Sequence, residues 1–169
     1  AARPAALRDM AEVKKFAETK GFNGQFERWD WPYYAEMLQK DKYEIDDEIL
    51  KPYFELSAVE KAIFDLAKSL YGVNIVHVTD IPVYHPDVKT WSVTDDEGKF
   101  LALLYTDYLP REGKMGGAWM TSFRDQRIES GNDIRPLVSI VTNFPPPGAN
   151  RPSLLTFNDL TTFLHEFGH

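Results

Sequence analysis

The apolar residues of this 169-residue chain repeat with one period before Gly72 and with another after it. Up to residue 72 they recur every three to four positions, which is typical of amphipathic helices. From Val73 onwards the spacing approaches two, and β-branched and aromatic residues become common, which indicates strands. Because helices come first and strands follow together, the pattern predicts an α+β fold.

Four helical segments are predicted before residue 73, each with a capping or breaking residue at one end: Ala1–Lys20, a segment that begins at a cap formed by Asp30 or Trp31, Asp46–Lys51, and a helix that Gly72 ends. In the last of them Ser57 and Glu60 have the spacing of a capping box. Gly21 is placed to end the first helix, and Pro52 to close the short one.

Six strands are predicted in the second part: Asn74–Val78, Ile81–Tyr84, Thr90–Thr94, Lys99–Tyr105, Ala118–Phe123 and Pro136–Thr142. The run from Asp95 to Gly98 is predicted to be a hairpin turn. A mixed or an antiparallel sheet fits these strands. A proline-rich breaker at 145–148 then leads to a last helix, which Thr156 can cap with Asp159 three residues further on.

We expect one partial catalytic domain over residues 1–169, with a helical part (1–72), a β-rich part (73–144), and a loop with the final helix (145–169). The chain opens directly into a helical pattern and stops at His169 inside another. The sequence therefore reads as a fragment of a longer protein.

Charge and composition exclude several classes of function. With 26 acidic and 19 basic residues, the formal charge of -7 disfavours binding to nucleic acid or anionic lipid. The longest uncharged stretch, Pro136–Asn150, contains four prolines and falls short of the roughly 20 apolar residues of a membrane span. The absence of cysteine excludes disulfides, thiolate zinc sites and iron–sulfur clusters. We expect no nucleic-acid or membrane partner, and a cytoplasmic protein with the periplasm as the alternative.

The last five residues, from His165 to His169, form a His-Glu-x-x-His (HExxH) motif. On a helix, positions i and i+4 share one face, so His165 and His169 can bind the same Zn²⁺. Glu166 lies about 100° around the helix, where its carboxylate can act as general base towards a water activated by the metal. The pattern predicts metal-assisted peptide hydrolysis, with coincidence of two helical histidines as the alternative. A catalytic zinc needs a third protein ligand, and none can follow His169 in this chain.

Three segments also resemble a known family: Leu154–His169, Ile81–Trp91 and Gly116–Phe123. They are similar to the thimet oligopeptidase and peptidyl-dipeptidase family of zinc metallopeptidases, nearest to its bacterial peptidyl-dipeptidase branch. The resemblance implies a mostly helical, two-lobed hydrolase several times this length, whose narrow channel admits short peptides. It implies that His165 and His169 are zinc ligands and that Glu166 is the catalytic carboxylate.

The same resemblance implies that a third ligand, a Glu on the next long helix, lies in a missing C-terminal part of the same enzyme. Tyr and His groups that stabilise the tetrahedral intermediate are also absent here. We therefore expect a parent enzyme that cleaves short peptides and releases C-terminal dipeptides, and an isolated chain that is inactive. The alternative is a non-catalytic folded module that acts only with the missing part.

A second candidate region is Gly116-Gly117-Ala118-Trp119, which precedes a predicted strand. In zinc peptidases of this kind an exposed strand beside the motif helix binds the substrate backbone, and glycines permit close approach. The alternative is a flexible turn before an ordinary core strand. The remaining histidines, His77 and His85, have no partner at ligand spacing and are predicted to be structural.

Overall fold

The computed structural model describes residues 2–44 and 47–169. The chain divides into two compact units, Ala1–Ile49 and Leu50–His169. No helix of the described part combines the length and the apolar character that crossing a bilayer requires.

The first unit is a pair of packed helices, α1 (Arg3–Thr19) and α2 (Asp30–Tyr43). Ion pairs hold them together on the surface, with 2.6 Å between Lys42 Nζ and Glu12 Oε1. The predicted first helix is confirmed, although Ala1 lies outside the described residues. Gly21 ends it as predicted, with φ of +90° and its N–H donating to Glu18.

The second predicted helix begins one residue earlier than expected, because Trp29 and not Asp30 or Trp31 occupies the N-cap position. The Asp30 carboxylate instead accepts a hydrogen bond from the Glu27 N–H at 2.8 Å. The predicted short helix is α3 (Asp47–Leu50), and Asp46 lies outside the described residues. Pro52 does not close it but lies inside a following 3-10 turn, Lys51–Tyr53.

The long helix α4 (Leu56–Tyr71) ends at Gly72 as predicted, but its predicted capping box is wrong. Glu55 is the N-cap residue, and the Ser57 hydroxyl donates to the Glu55 carboxylate at 2.7 Å. Glu60 is buried, and Lys89 on the sheet donates to it at 3.3 Å. The Glu60 side chain therefore pairs with a residue of the sheet and not, as the local pattern predicted, with the start of the helix.

A five-stranded mixed sheet forms the centre of the second unit, in the order β1-β2-β3-β7-β4. Its strands are β1 (Asn74–Val78), β2 (Lys89–Thr94), β3 (Phe100–Asp107), β4 (Trp119–Arg124) and β7 (Leu137–Val141). β3 and β7 run parallel, and the other neighbours are antiparallel. The α+β class and the mixed alternative for the sheet are confirmed, and β1 and β4 are its edges.

One predicted strand is wrong, and one hairpin was missed. Ile81–Tyr84 is a bent loop and not a strand. A separate hairpin, β5 (Arg127–Glu129) and β6 (Asn132–Ile134), was not predicted because its residues are polar and mostly exposed. Its two-residue turn carries Ser130 and Gly131, both with positive φ, as a type I′ turn requires.

The helices α4 and α5 (Phe157–Gly168) pack with the sheet around two groups of buried residues. The larger group is Val59, Ile63, Tyr108, Phe144, Leu155 and Phe163, and the smaller is Trp91, Leu104 and Ile140. Phe64 and Phe167 pack against the smaller group and connect it to the two helices. The final helix is thus attached to the sheet through aromatic side chains.

We predict that Phe163→Ala destabilises the chain by about 3–5 kcal/mol, because it empties a fully buried aromatic site. Leu164→Ala on the same helix is the control, since Leu164 is 40% exposed and its truncation costs only about 1 kcal/mol. Urea unfolding followed by circular dichroism measures both. Equal losses for the two variants would contradict the orientation of α5.

Candidate metal and substrate site

The helix that carries the HExxH motif begins at a complete capping box, as the sequence predicted. The Thr156 hydroxyl accepts from the Asp159 N–H at 3.1 Å, and the Asp159 carboxylate accepts from the Thr156 N–H at 2.9 Å. The first residue of α5 is therefore fixed by local interactions, and the 3.6-residue period sets where each later side chain projects.

Aromatic packing fixes the rotation of α5. Phe163 has no exposed surface and lies 5.1 Å from the Tyr108 ring and 5.8 Å from the Phe144 ring, between centroids. The helical spacing of Leu160, Leu164 and Phe167 in the sequence predicts that these three form the buried face of the last helix. For Leu164 this is wrong: it is exposed, and Phe163 takes the central buried position.

The two motif histidines lie on the exposed side of α5, and their Nε2 atoms are 3.2 Å apart. Two nitrogens at 2.0–2.1 Å from a tetrahedral zinc are about 3.3 Å apart, so the observed separation fits two ligands of one ion. It equally fits a hydrogen bond between two neutral imidazoles. In residues 2–44 and 47–169 no three His, Asp or Glu side chains are grouped as a complete metal site. His165 and His169 therefore fit zinc as an incomplete ligand pair, and their role stays a prediction.

Glu166 lies at the boundary between the exposed histidines and the buried face, with 8% of its surface exposed. No hydrogen bond or ion pair within the described part of the chain involves its carboxylate. A carboxylate that no neighbouring side chain engages is available to hold a water molecule at the site. This placement is compatible with the predicted general base.

The predicted substrate segment precedes the edge strand that lies beside the motif helix. Trp119 is the first residue of β4, and Cα atoms of β4 come within 8 Å of Cα atoms of α5. Gly117 has φ of +94°, which favours glycine. A Cβ added at Gly116 or Gly117 would meet no protein atom within 4 Å, so space lies open beside both. The structure thus brings the segment's strand and the HExxH helix together, and substrate binding there stays a prediction.

Sequence reasoning missed a buried ionic cluster at the end of β3. The Asp107 carboxylate accepts from Arg111 at 2.7 and 2.9 Å, from Lys114 at 2.8 Å and from the Tyr84 hydroxyl at 2.8 Å. Burial alone would raise the pKa of Asp107, but these hydrogen bonds outweigh it and lower the pKa from 3.8 to about 2. The cluster attaches the loop after β3, and with it the approach to Gly116, to the sheet.

Asn143, two residues beyond β7, was also missed. Its Nδ2 donates to the carbonyl oxygens of Met115 at 3.0 Å and of Gly117 at 2.8 Å. The only signal in the sequence is a polar residue directly after a strand, which is also typical of ordinary turns. His77 and His85 take no part in the motif site: His77 packs on Trp91, and His85 accepts from the Asp87 N–H.

Comparison with known proteins identifies the family of the chain. The model of peptidase family M3 matches residues 1–169. The chain is 41% identical to the dipeptidyl carboxypeptidase of Escherichia coli (strain K12) over 172 residues, which cover 100% of this chain and 25% of that protein. It is 33% identical to oligopeptidase A of the same organism, over 99% of this chain and 25% of that protein. A relative in Arabidopsis thaliana, named "Probable cytosolic oligopeptidase A", is 37% identical over 97% of this chain and 24% of its own length.

The chain therefore belongs to peptidase family M3, and it spans about a quarter of the length of the curated relatives that it matches. The resemblance inferred from the sequence is confirmed at the level of the family. These lengths also support the prediction that the chain is a fragment of a larger peptidase.

We predict that Asp107→Asn destabilises the chain by about 3 kcal/mol at pH 7, because it leaves the cations of Arg111 and Lys114 without their counter-charge. Asp65→Asn is the matched control, since it removes an exposed ion pair with Lys61 and costs less than about 1 kcal/mol. Urea unfolding of the three proteins measures the difference.

The same cluster predicts a pH dependence. The folded pKa of Asp107, about 2, lies below its ordinary value of 3.8, so the ionised carboxylate stabilises the fold above pH 4. This contribution, roughly 2 kcal/mol, disappears as the pH falls from 4 to 2. Asp107→Asn lacks it at every pH, so the stability difference from wild type should shrink over that interval. A difference that stays constant would contradict the assigned ionisation.

Proposed function

We propose that this chain is part of the catalytic region of a zinc metallopeptidase that hydrolyses short peptides and releases dipeptides from their C-terminus. The observation that carries the proposal is the 3.2 Å separation of the His165 and His169 Nε2 atoms on one side of α5, with Glu166 between them in sequence. Membership of peptidase family M3 supports peptide hydrolysis. The E. coli relative named dipeptidyl carboxypeptidase supports release of dipeptides.

In this proposal His165 and His169 hold the zinc, and the third ligand comes from the part of the enzyme outside this chain. When bound, zinc polarises the scissile carbonyl and lowers the pKa of a water. Glu166 accepts the proton of the attacking water as general base. The absence of a hydrogen bond or ion pair at its carboxylate among the described residues supports this role.

The substrate is proposed to lie along the free edge of β4. Because β4 is an edge strand, the side turned away from β7 has backbone groups that an extended peptide can pair with. In the approach to this edge, Gly116-Gly117-Ala118-Trp119, the two glycines leave open space that a side chain would otherwise occupy. A short, extended peptide whose scissile bond faces α5 is the substrate that this arrangement favours.

The second candidate is a non-catalytic module that functions only when the missing C-terminal part completes it. The incomplete ligand pair favours this reading for the isolated chain. A fluorogenic short peptide separates the two: we expect no hydrolysis by the 169-residue chain. Hydrolysis that a chelator blocks would eliminate the module reading. The cytoplasm is the proposed compartment, with the periplasm as the alternative, and the cytosolic name of the Arabidopsis relative supports it.

In the complete enzyme, Glu166→Gln should retain zinc and lose 10²- to 10⁴-fold in kcat, because the amide cannot accept the proton while the ligand set is unchanged. His165→Ala should lose the metal instead. Zinc content by mass spectrometry and peptide hydrolysis distinguish the two variants. Near wild-type kcat for Glu166→Gln would show that another group is the base.

The isolated chain should bind zinc weakly. Two imidazoles leave at least one protein ligand position unfilled, and His169 follows the last turn of α5, where carbonyl groups have no intrahelical partner. We expect a dissociation constant weaker than micromolar by calorimetry at pH 7. Micromolar or tighter binding would mean that a carboxylate or histidine of this chain completes the site.

A further inference from the structure

We propose that Asn143 is a positioning residue for substrate binding: it fixes segment 115–118 so that the backbone groups of Gly116 and Ala118 face an incoming peptide. The inference rests on the proposed function, since it assumes that a peptide is bound beside β4. Neither the HExxH motif nor any other sequence pattern assigned a role to Asn143.

The register of the sheet explains where Asn143 acts. β4 and β7 are antiparallel, with Trp119 opposite Val141. Two residues further along, Gly117 and Asn143 lie where the next such pair of the ladder would be. Here the strands no longer pair through their backbones, and the Asn143 side chain takes over by donating to the Met115 and Gly117 carbonyls. The Asn143 amide thus continues the pairing of β4 with β7 into the glycine segment.

These two hydrogen bonds do not involve the backbone groups of Gly116 and Ala118. Among the loops and turns of the described residues, no hydrogen bond uses the N–H or C=O of Gly116 or Ala118. The space beside Gly116 is open as well. The bend at Gly116 and Gly117 therefore presents unpaired backbone donors and acceptors next to the free edge of β4, where an extended peptide would pair by β-augmentation.

A second anchor holds the other end of the segment. Lys114, whose side chain is 3% exposed, donates to the Asp107 carboxylate, the Asp107 carbonyl and the Leu109 carbonyl. Residues 115–118 therefore lie between a buried lysine and the first residue of β4. Asn143 is the side chain that holds the middle of this span.

The environment of Asn143 indicates a role beyond stability. Asn143 is only partly buried, and Met115, one of its two partners, is 75% exposed. Water can replace the amide at these carbonyls, so truncation should cost the fold little. What truncation removes is the fixed geometry of the segment, and a peptide must then order that segment when it binds.

The test uses the complete enzyme with a fluorogenic peptide and the variants Asn143→Ala and Asn143→Asp. Aspartate keeps the shape of the side chain but presents an oxygen to the two carbonyls in place of the donor. We expect KM to rise about tenfold for Asn143→Ala and further for Asn143→Asp, with kcat within about twofold of wild type. Asn74→Ala is the matched control, because Asn74 donates to the Asp95 carbonyl at the opposite edge of the sheet. Its KM should not change.

A set of peptides methylated at one backbone nitrogen each provides the decisive readout. In the wild type, methylation of the nitrogen that pairs with segment 115–118 should raise KM, and in Asn143→Ala this penalty should shrink. An equal penalty in both proteins, or a KM within twofold of wild type for both Asn143 variants, would overturn the proposal. So would a loss of kcat alone.

The outcomes also separate this inference from the proposed function. Failure of the wild-type enzyme to cleave the unmodified peptide would overturn both. Cleavage by the wild type with unchanged KM in the variants would overturn only the role of Asn143. Hydrogen exchange of the 169-residue chain gives a further readout without activity: Asn143→Ala should accelerate exchange in residues 114–119 and not in β1.

Discussion

The packing of Phe163 against Tyr108 and Phe144 determines where the chemistry of this chain can lie. The ring has no exposed surface, so α5 has one stable rotation against the sheet. With 3.6 residues per turn, that rotation leaves His165 and His169 exposed and Glu166 at the edge of the buried face. A core contact three residues before the motif's glutamate thus sets the direction of the whole motif.

The sheet contributes through its topology. β3 and β7 are parallel and β4 is antiparallel to β7, so the ends of β3 and β7 meet the start of β4 at one end of the sheet. This brings Asp107, Asn143 and the segment before Trp119 to the same end, although they are far apart in sequence. The ionic cluster of Asp107 and the amide of Asn143 both act on the loop that enters β4. Hydrogen bonds thus hold the segment that enters the edge strand β4, and its role in substrate binding stays a prediction.

The features that sequence predicted well depend on neighbouring residues, and those it missed depend on distant ones. The Thr156 capping box is confirmed because both partners lie within one turn. The capping box at Ser57 failed because Glu60 pairs with Lys89, a partner that no local pattern reveals. For the same reason the sequence did not show that Asp107 accepts hydrogen bonds from several side chains. One of these partners is Tyr84, which lies in a segment wrongly predicted to be a strand. The histidine pair was predictable because a helix alone sets its spacing.

In the proposed function, two zinc ligands lie in this chain and the third lies outside it, which would link metal binding to assembly of the enzyme. α5 places the two imidazole nitrogens 3.2 Å apart, close to the separation that two ligands of one tetrahedral zinc have. A third ligand supplied from outside the chain would raise the affinity of the site for zinc, because two ligands alone bind the ion weakly. Zinc binding would then be coupled to docking of the remaining part of the protein against α5 and β4. Under the proposed function, hydrolysis would then be restricted to the assembled enzyme, in which the zinc ligands and the edge strand β4 are both present.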